Sequence, residues 1–94
     1  MRFLSAKAKD GTLTQDAFDQ LLLAFDLDRE VAAQKYEFMR RKLVEFFEAR
    51  GGDSPPDSAD EAINRVARRI SEGEQIDNLN SYCYGVARLI WLES

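Results

Sequence analysis

Asp57-Ser-Ala-Asp-Glu-Ala-Ile-Asn-Arg-Val-Ala-Arg-Arg-Ile70, followed across a polar turn by Tyr82-Cys-Tyr-Gly-Val-Ala-Arg88, decides the fold of this chain. In the first segment Ala59, Ala62, Ile63, Val66, Ala67 and Ile70 recur at the three- and four-residue steps of one helix face. Asn64, Arg65, Arg68 and Arg69 fall elsewhere on the same helix. Ser58-Ala-Asp-Glu61 has the Ser-x-x-Glu spacing of a capping box, and Ser71-Glu-Gly73-Glu breaks the pattern. The second segment belongs to a helix that starts near Asn78 and continues to the end of the chain. Ile76, Leu79, Cys83, Val86, Ala87 and Ile90 make its inward face. An acidic start on one helix and an aromatic-plus-arginine face on the next suggest two neighbouring surfaces for two partners.

Upstream, Gly51-Gly52 is a helix stop, because glycine tolerates the left-handed conformation found there. Asp53-Ser-Pro-Pro-Asp57 reads as a loop, since consecutive prolines disfavour helix and remove backbone donors. The stop closes a long helix over about Arg29–Ala49, with Asp28 as its N-cap. Val31, Lys35, Phe38, Met39, Lys42, Leu43, Phe46 and Phe47 approximate its stripe. A shorter helix over about Gln15–Phe25 precedes it. Thr14 caps that helix, Leu13 and Phe18 occupy the positions of a hydrophobic staple, and Phe18, Leu21, Leu22 and Phe25 form the apolar face. Phe18, Leu22 and Phe25 are expected to pack on the long helix. The sequence thus predicts an all-α domain over residues 1–94, a compact bundle of about four helices. Residues 1–27 hold an N-terminal turn and an extra helix, and 28–94 hold the other three. No stop signal precedes Ser94, so the chain reads as a fragment of a longer protein.

Composition narrows the function classes. A chain of 94 residues with 45% hydrophobic content builds one modest core. Its apolar runs, Leu21–Phe25 and Leu89–Leu92, fall far short of the ~20 residues of a membrane span. Met1-Arg-Phe-Leu-Ser-Ala-Lys-Ala-Lys-Asp10 lacks the apolar stretch of a signal peptide. Cys83 is the single cysteine, which excludes an internal disulfide and fits a reducing cytoplasm. There is no histidine, so the commonest general base and the commonest metal ligand are both missing. Nothing in the sequence calls for a metal or cofactor, and binding rather than catalysis is expected. The net charge of -4 argues against non-specific nucleic-acid binding by the whole surface. The charge is uneven, however: Lys35, Arg40, Arg41, Lys42 and Arg50 concentrate on and beside the long helix.

From about Gln34 to Glu93 the chain resembles the second conserved region of bacterial RNA polymerase sigma factors of the extracytoplasmic-function type. The likeness rests on an ordered set: a long helix ending in Arg50-Gly-Gly-Asp53, a Pro/Asp loop, an Asp-Glu helix with Val66-Ala-Arg-Arg-Ile70, and Tyr82-Cys-Tyr-Gly-Val-Ala-Arg88. The last is similar to the family's Trp-Leu-Tyr-Arg-Ile-Ala-Arg-Asn run. The resemblance implies that the helix carrying Asp57, Asp60, Glu61 and Asn64 docks on the clamp helices of the largest subunit of core RNA polymerase. It implies that Tyr82, Tyr84, Arg88, Leu89 and Trp91 face the minus-ten promoter element and the melted non-template strand of promoter DNA. An anti-sigma factor is a further partner of the kind the resemblance suggests. Three positions depart from the pattern. Ile63-Asn64 stands where the family has a Gln-Glu pair, Gly85 where it has an arginine, and Leu89 where it has a base-reading asparagine.

Each of these residues also has a plainer explanation. Asp57, Asp60 and Glu61 favour a helix start by interacting with its dipole. Arg65, Arg68 and Arg69 suit a solvated face, or Arg68 or Arg69 pairs with an acidic residue of the long helix. Tyr82 and Trp91 suit the rim of a core. Arg40-Arg41-Lys42 is interleaved with Glu37 and Glu45 at intrahelical pairing distances. Cys83 behaves as a small buried apolar group. The rival to a sigma-like domain is a helical protein–protein interaction module that no longer touches DNA, favoured by Gly85, Leu89 and the net charge. A small enzyme is the weakest alternative.

Overall fold

Thr14 opens the first helix by accepting a hydrogen bond at Oγ1 from the Ala17 N–H at 3.1 Å, which occupies one of the N–H groups a helix start leaves orphaned. The computed structural model describes residues 14–94, so Leu13, the proposed staple partner of Phe18, and the first ten residues lie outside the described part. Four helices follow: α1 (Gln15–Phe25), α2 (Arg29–Ala49), α3 (Pro55–Ser71) and α4 (Leu79–Glu93). Asp28 caps α2 by accepting from Glu30 and Val31, and Asn78 caps α4 by accepting from Ser81 at 3.0 Å. None of the described helices is long and apolar enough to cross a membrane.

The ends of α2 and α3 are built alike. At the first, the Gly52 N–H bonds Phe47 O at 2.9 Å and the Gly51 N–H bonds Glu48 O at 3.0 Å. At the second, the Glu74 N–H bonds Arg69 O at 3.1 Å and the Gly73 N–H bonds Ile70 O at 3.0 Å. This double bond pattern is the Schellman stop, and it needs a left-handed residue at its turning point. Gly51 (φ 73°) and Gly73 (φ 96°) supply it.

The start of α3 corrects the sequence reading. The helix begins at Pro55, not at Ser58, and takes in most of the supposed loop. Pro55 and Pro56 fill the first two helical positions, where a missing N–H costs nothing and the ring presets φ. Ser58 is already inside the helix, its N–H bonded to Ser54 O at 3.0 Å. No capping box forms, and Glu61 turns to Arg65 instead.

The bundle is organised around α3, which contacts all three other helices. Ala59, Ala62, Val66 and Ala67 are fully buried along it, and their small size lets neighbouring helices approach closely. Met39, Leu43 and Phe47 enter this core from α2, Leu21 from α1, and Cys83, Val86 and Ala87 from α4. Of the stripe expected on α2, Met39, Leu43 and Phe47 are buried, whereas Phe38 is 51% exposed and Lys35 is exposed. Ala32 and half-buried Tyr36 continue the buried line instead. Tyr36 lies between Phe18 and Phe25 of α1 in edge-on contacts, with ring centres 5.4 and 6.5 Å away. Thus α1 does pack on α2, held also by Arg29–Asp19 and Lys35–Asp26, and it rests on α3 as well.

Candidate functional site

On α3 the acidic side chains are engaged within the chain. Asp60 receives two hydrogen bonds from Arg40 of α2, Nε to Oδ1 at 2.8 Å and Nη2 to Oδ2 at 3.2 Å. The Asp60 carboxylate raises the pKa of Arg40 above its ordinary value. Glu61 accepts from Arg65 at 2.9 Å, and the same guanidinium reaches both oxygens of Glu93 at the end of α4. Arg65 is therefore held more firmly protonated, by Glu93 first and Glu61 second, and its hydrogen bonds keep Glu93 below the usual carboxylate range. Asp57 accepts from the Ser54 hydroxyl at 2.8 Å, and Asn64 is half-buried. The interhelical pair expected from Arg68 or Arg69 to α2 is thus made in the opposite sense, by an arginine of α2 to an aspartate of α3.

The aromatic and basic residues of α4 divide between two sides. Residues two apart on a helix point ~200° away from each other, so Tyr82 and Tyr84 cannot share a surface. Tyr82 lies on the α3 side. Its hydroxyl donates to Glu74 Oε2 at 2.8 Å and accepts from Arg69 Nη1 at 3.1 Å. Desolvation and the bond to Glu74 raise its pKa, against the pull of Arg69. Beside it, Gln75, Asp77, Asn78 and Ser81 rim a pocket floored by Ile76, Val86 and Leu89.

Tyr84 lies on the α2 side, with its ring centre 6.1 Å from that of Phe46. The Arg50 guanidinium sits 3.7 Å over the Phe46 ring and donates to Phe46 O at 3.2 Å. Arg88, Trp91 and Leu92 complete a shallow pocket there. Trp91 is half-buried and packs partly on the core. Among the described residues neither Arg50 nor Arg88 pairs with a carboxylate. The surface therefore offers aromatic rings beside cations that no carboxylate neutralises, the combination that stacks bases and holds phosphates. Gly85 lies between the two pockets, and a Cβ there would meet nothing within 4 Å.

The structure thus joins Tyr84, Arg88 and Trp91, and places Tyr82 and exposed Leu89 on the other flank. Phe46 and Arg50 were missed as site residues. Phe46 reads as core in the α2 stripe and Arg50 as part of the helix stop. Their i, i+4 spacing could have suggested a stacked pair, but the approach of Tyr84 is visible only in the fold. Cys83 is 2% exposed and burial pushes its thiol up to about 11, so it is not an activated nucleophile. Among the described residues no three Cys, Asp or Glu side chains converge as a metal site. No family model, curated protein or solved structure matches this chain.

Proposed function

We propose that the chain is a cytoplasmic sigma-like transcription initiation domain, one that binds core RNA polymerase and captures the minus-ten region of promoter DNA. The observation that carries this reading is the Phe46–Arg50–Tyr84–Arg88 cluster beside Trp91, joined to the ordered sequence features that resemble sigma region 2. The mechanism is recruitment and capture without covalent chemistry. The polar flank of α3, with Asp57, Asp60, Glu61 and Asn64, meets the polymerase clamp helices. Tyr84, Arg88 and Trp91 hold the melted non-template strand, each stacked base contributing ~1–3 kcal/mol against the cost of unstacking. Tyr82, Leu89 and the polar pocket at the α3–α4 turn receive a base displaced from that strand. Asp60 keeps a role in docking despite Arg40, because a carboxylate has more lone pairs than one guanidinium occupies.

A second reading, a helical interaction module without DNA binding, draws support from the net charge of -4. Leu89 and Leu92, exposed on α4 by 52% and 68%, favour it too. Core polymerase pull-down separates docking from its absence. Wild type is retained, and Asp60→Arg with Glu61→Arg loses retention while its circular dichroism stays helical. Equal retention of both proteins would sink the docking role.

A further inference from the structure

We infer that α2 supplies the second wall of a groove for single-stranded nucleic acid, running between α2 and α4 from Phe38 to Trp91. This deepens the proposal above, in which Tyr84, Arg88 and Trp91 of α4 hold the strand, and rests on it. Phe38, Lys42 and Phe46 of α2 and its C-cap residue Arg50 stand at successive four-residue steps, and Asn80, Tyr84 and Arg88 at the same steps of α4. The fold brings the two rows together at three places, with α2 advancing eight residues between the first two where α4 advances four. Phe38 and Asn80 line one shallow pocket, Phe46 and Tyr84 touch farther along, and Arg50 and Arg88 share a pocket with Trp91 at the far end. Side chains four apart are neighbours on a helix surface, so each row is a continuous ridge that winds ~40° about its helix at every step.

The chemistry along the α2 strip alternates ring and cation. Lys42 Nζ sits 5.4 Å from the Phe38 ring centre, and Arg50 covers Phe46 at 3.7 Å. The Arg41 guanidinium also lies over the Phe38 ring, 5.8 Å from its centre. Phe38 is 51% exposed, a large apolar face that the bundle does not use. An acidic peptide would need the cations but not the exposed rings, and an apolar helix the reverse. Rings in alternation with cations fit the bases and phosphates of an unpaired strand. From Phe38 to Arg50 the helix rises ~18 Å, room for roughly three to five nucleotides. Glu45 lies 3.7 Å from Lys42, a long exposed pair that an incoming phosphate can displace.

The test is fluorescence anisotropy of the 94-residue chain with a labelled oligothymidylate of roughly ten nucleotides, titrated at several salt concentrations. Phosphate contacts from Lys42, Arg50 and Arg88 predict a log–log salt slope of about −2. Lys42→Gln with Arg50→Gln cuts the slope to about −0.7 and weakens binding roughly tenfold or more at low salt. Phe38→Ser, on the surface, weakens binding at least roughly fivefold. Arg29→Gln, paired with Asp19 away from the groove, leaves binding at the wild-type value, and Trp91 fluorescence is quenched as wild type saturates. Thermal melts establish that each variant is folded. If Tyr84→Ser and Arg88→Gln weaken binding while the α2 variants do not, the groove is overturned and capture by α4 stands. If wild type binds no oligothymidylate, or binds duplex or polyglutamate more tightly, the groove is overturned as well. Polymerase pull-down then decides the docking role on its own.

Discussion

The two sides of this small bundle hold their charges differently. On the α3 side the acidic groups are closed into local pairs, Arg40 with Asp60 and Arg65 with Glu61 and Glu93. On the α2–α4 side Arg50 and Arg88 have no carboxylate partner among the described residues; Arg50 lies over the Phe46 ring, and Arg88 shares a shallow pocket with Tyr84 and Trp91. Paired charges hold the helices in register, whereas cations beside exposed rings gain more from an incoming anion. The contrast leaves the acidic flank with most of its charge engaged within the chain and the basic one with charge to offer.

The largest effect breaks both sides together. Leu43 is fully buried at the centre of α2, beneath both flanks. Leu43→Ala is expected to cost about 2–5 kcal/mol in urea unfolding, through lost transfer energy and the cavity left behind. A loss below about 1 kcal/mol would mean that the core collapses around the site. A sharper contrast comes from two arginines. Arg40→Gln removes a bidentate interhelical pair and should destabilise by roughly 0.5–1 kcal/mol, kept small by the partial exposure of both partners. Arg88→Gln should leave the melting temperature unchanged and weaken oligonucleotide binding. Equal melting shifts in the two variants would erase the distinction drawn here.

The smallest effect is a response to acid. Arg65 holds the pKa of Glu93 below its ordinary value, and the Asp28 N–H with Lys35 does the same for Asp26. A group whose folded pKa is depressed contributes stability above its unfolded pKa and loses it as pH falls through the folded one. The melting temperature should therefore fall as pH drops below the ordinary carboxylate range, and Arg65→Gln should flatten that fall. An unchanged acid profile in Arg65→Gln would show that the Glu93 pair contributes nothing to it.

Much of the architecture was legible because its signals are local. Thr14 and Asp28 cap the helices that their positions predict, α4 starts at the expected Asn78, and Gly51 and Gly73 stop α2 and α3. Where two local rules competed, the reading went astray. Pro55-Pro56 looked like a breaker and is a helix start, because the first turn does not need the donors that proline lacks. The α2 stripe was half legible: periodicity marks a face, but whether Phe38 finds a neighbour depends on where α1 and α4 pack. The site divides in the same way. Tyr82, Tyr84, Arg88, Leu89 and Trp91 read as one surface although helix geometry sets Tyr82 and Leu89 on another flank, and Arg40–Asp60 and the approach of Phe46 to Tyr84 join residues far apart in the chain.

Cys83 makes the bundle its own chronometer. The thiol sits on the inward face of α4, almost sealed from solvent, and the same burial raises its pKa. A thiol reagent can reach it only during the intervals when α4 lifts away, so labelling rate counts those openings. A ligand that bridges α2 and α4 lengthens the waiting time, and one that touches α3 alone leaves α4 free to lift at its native pace.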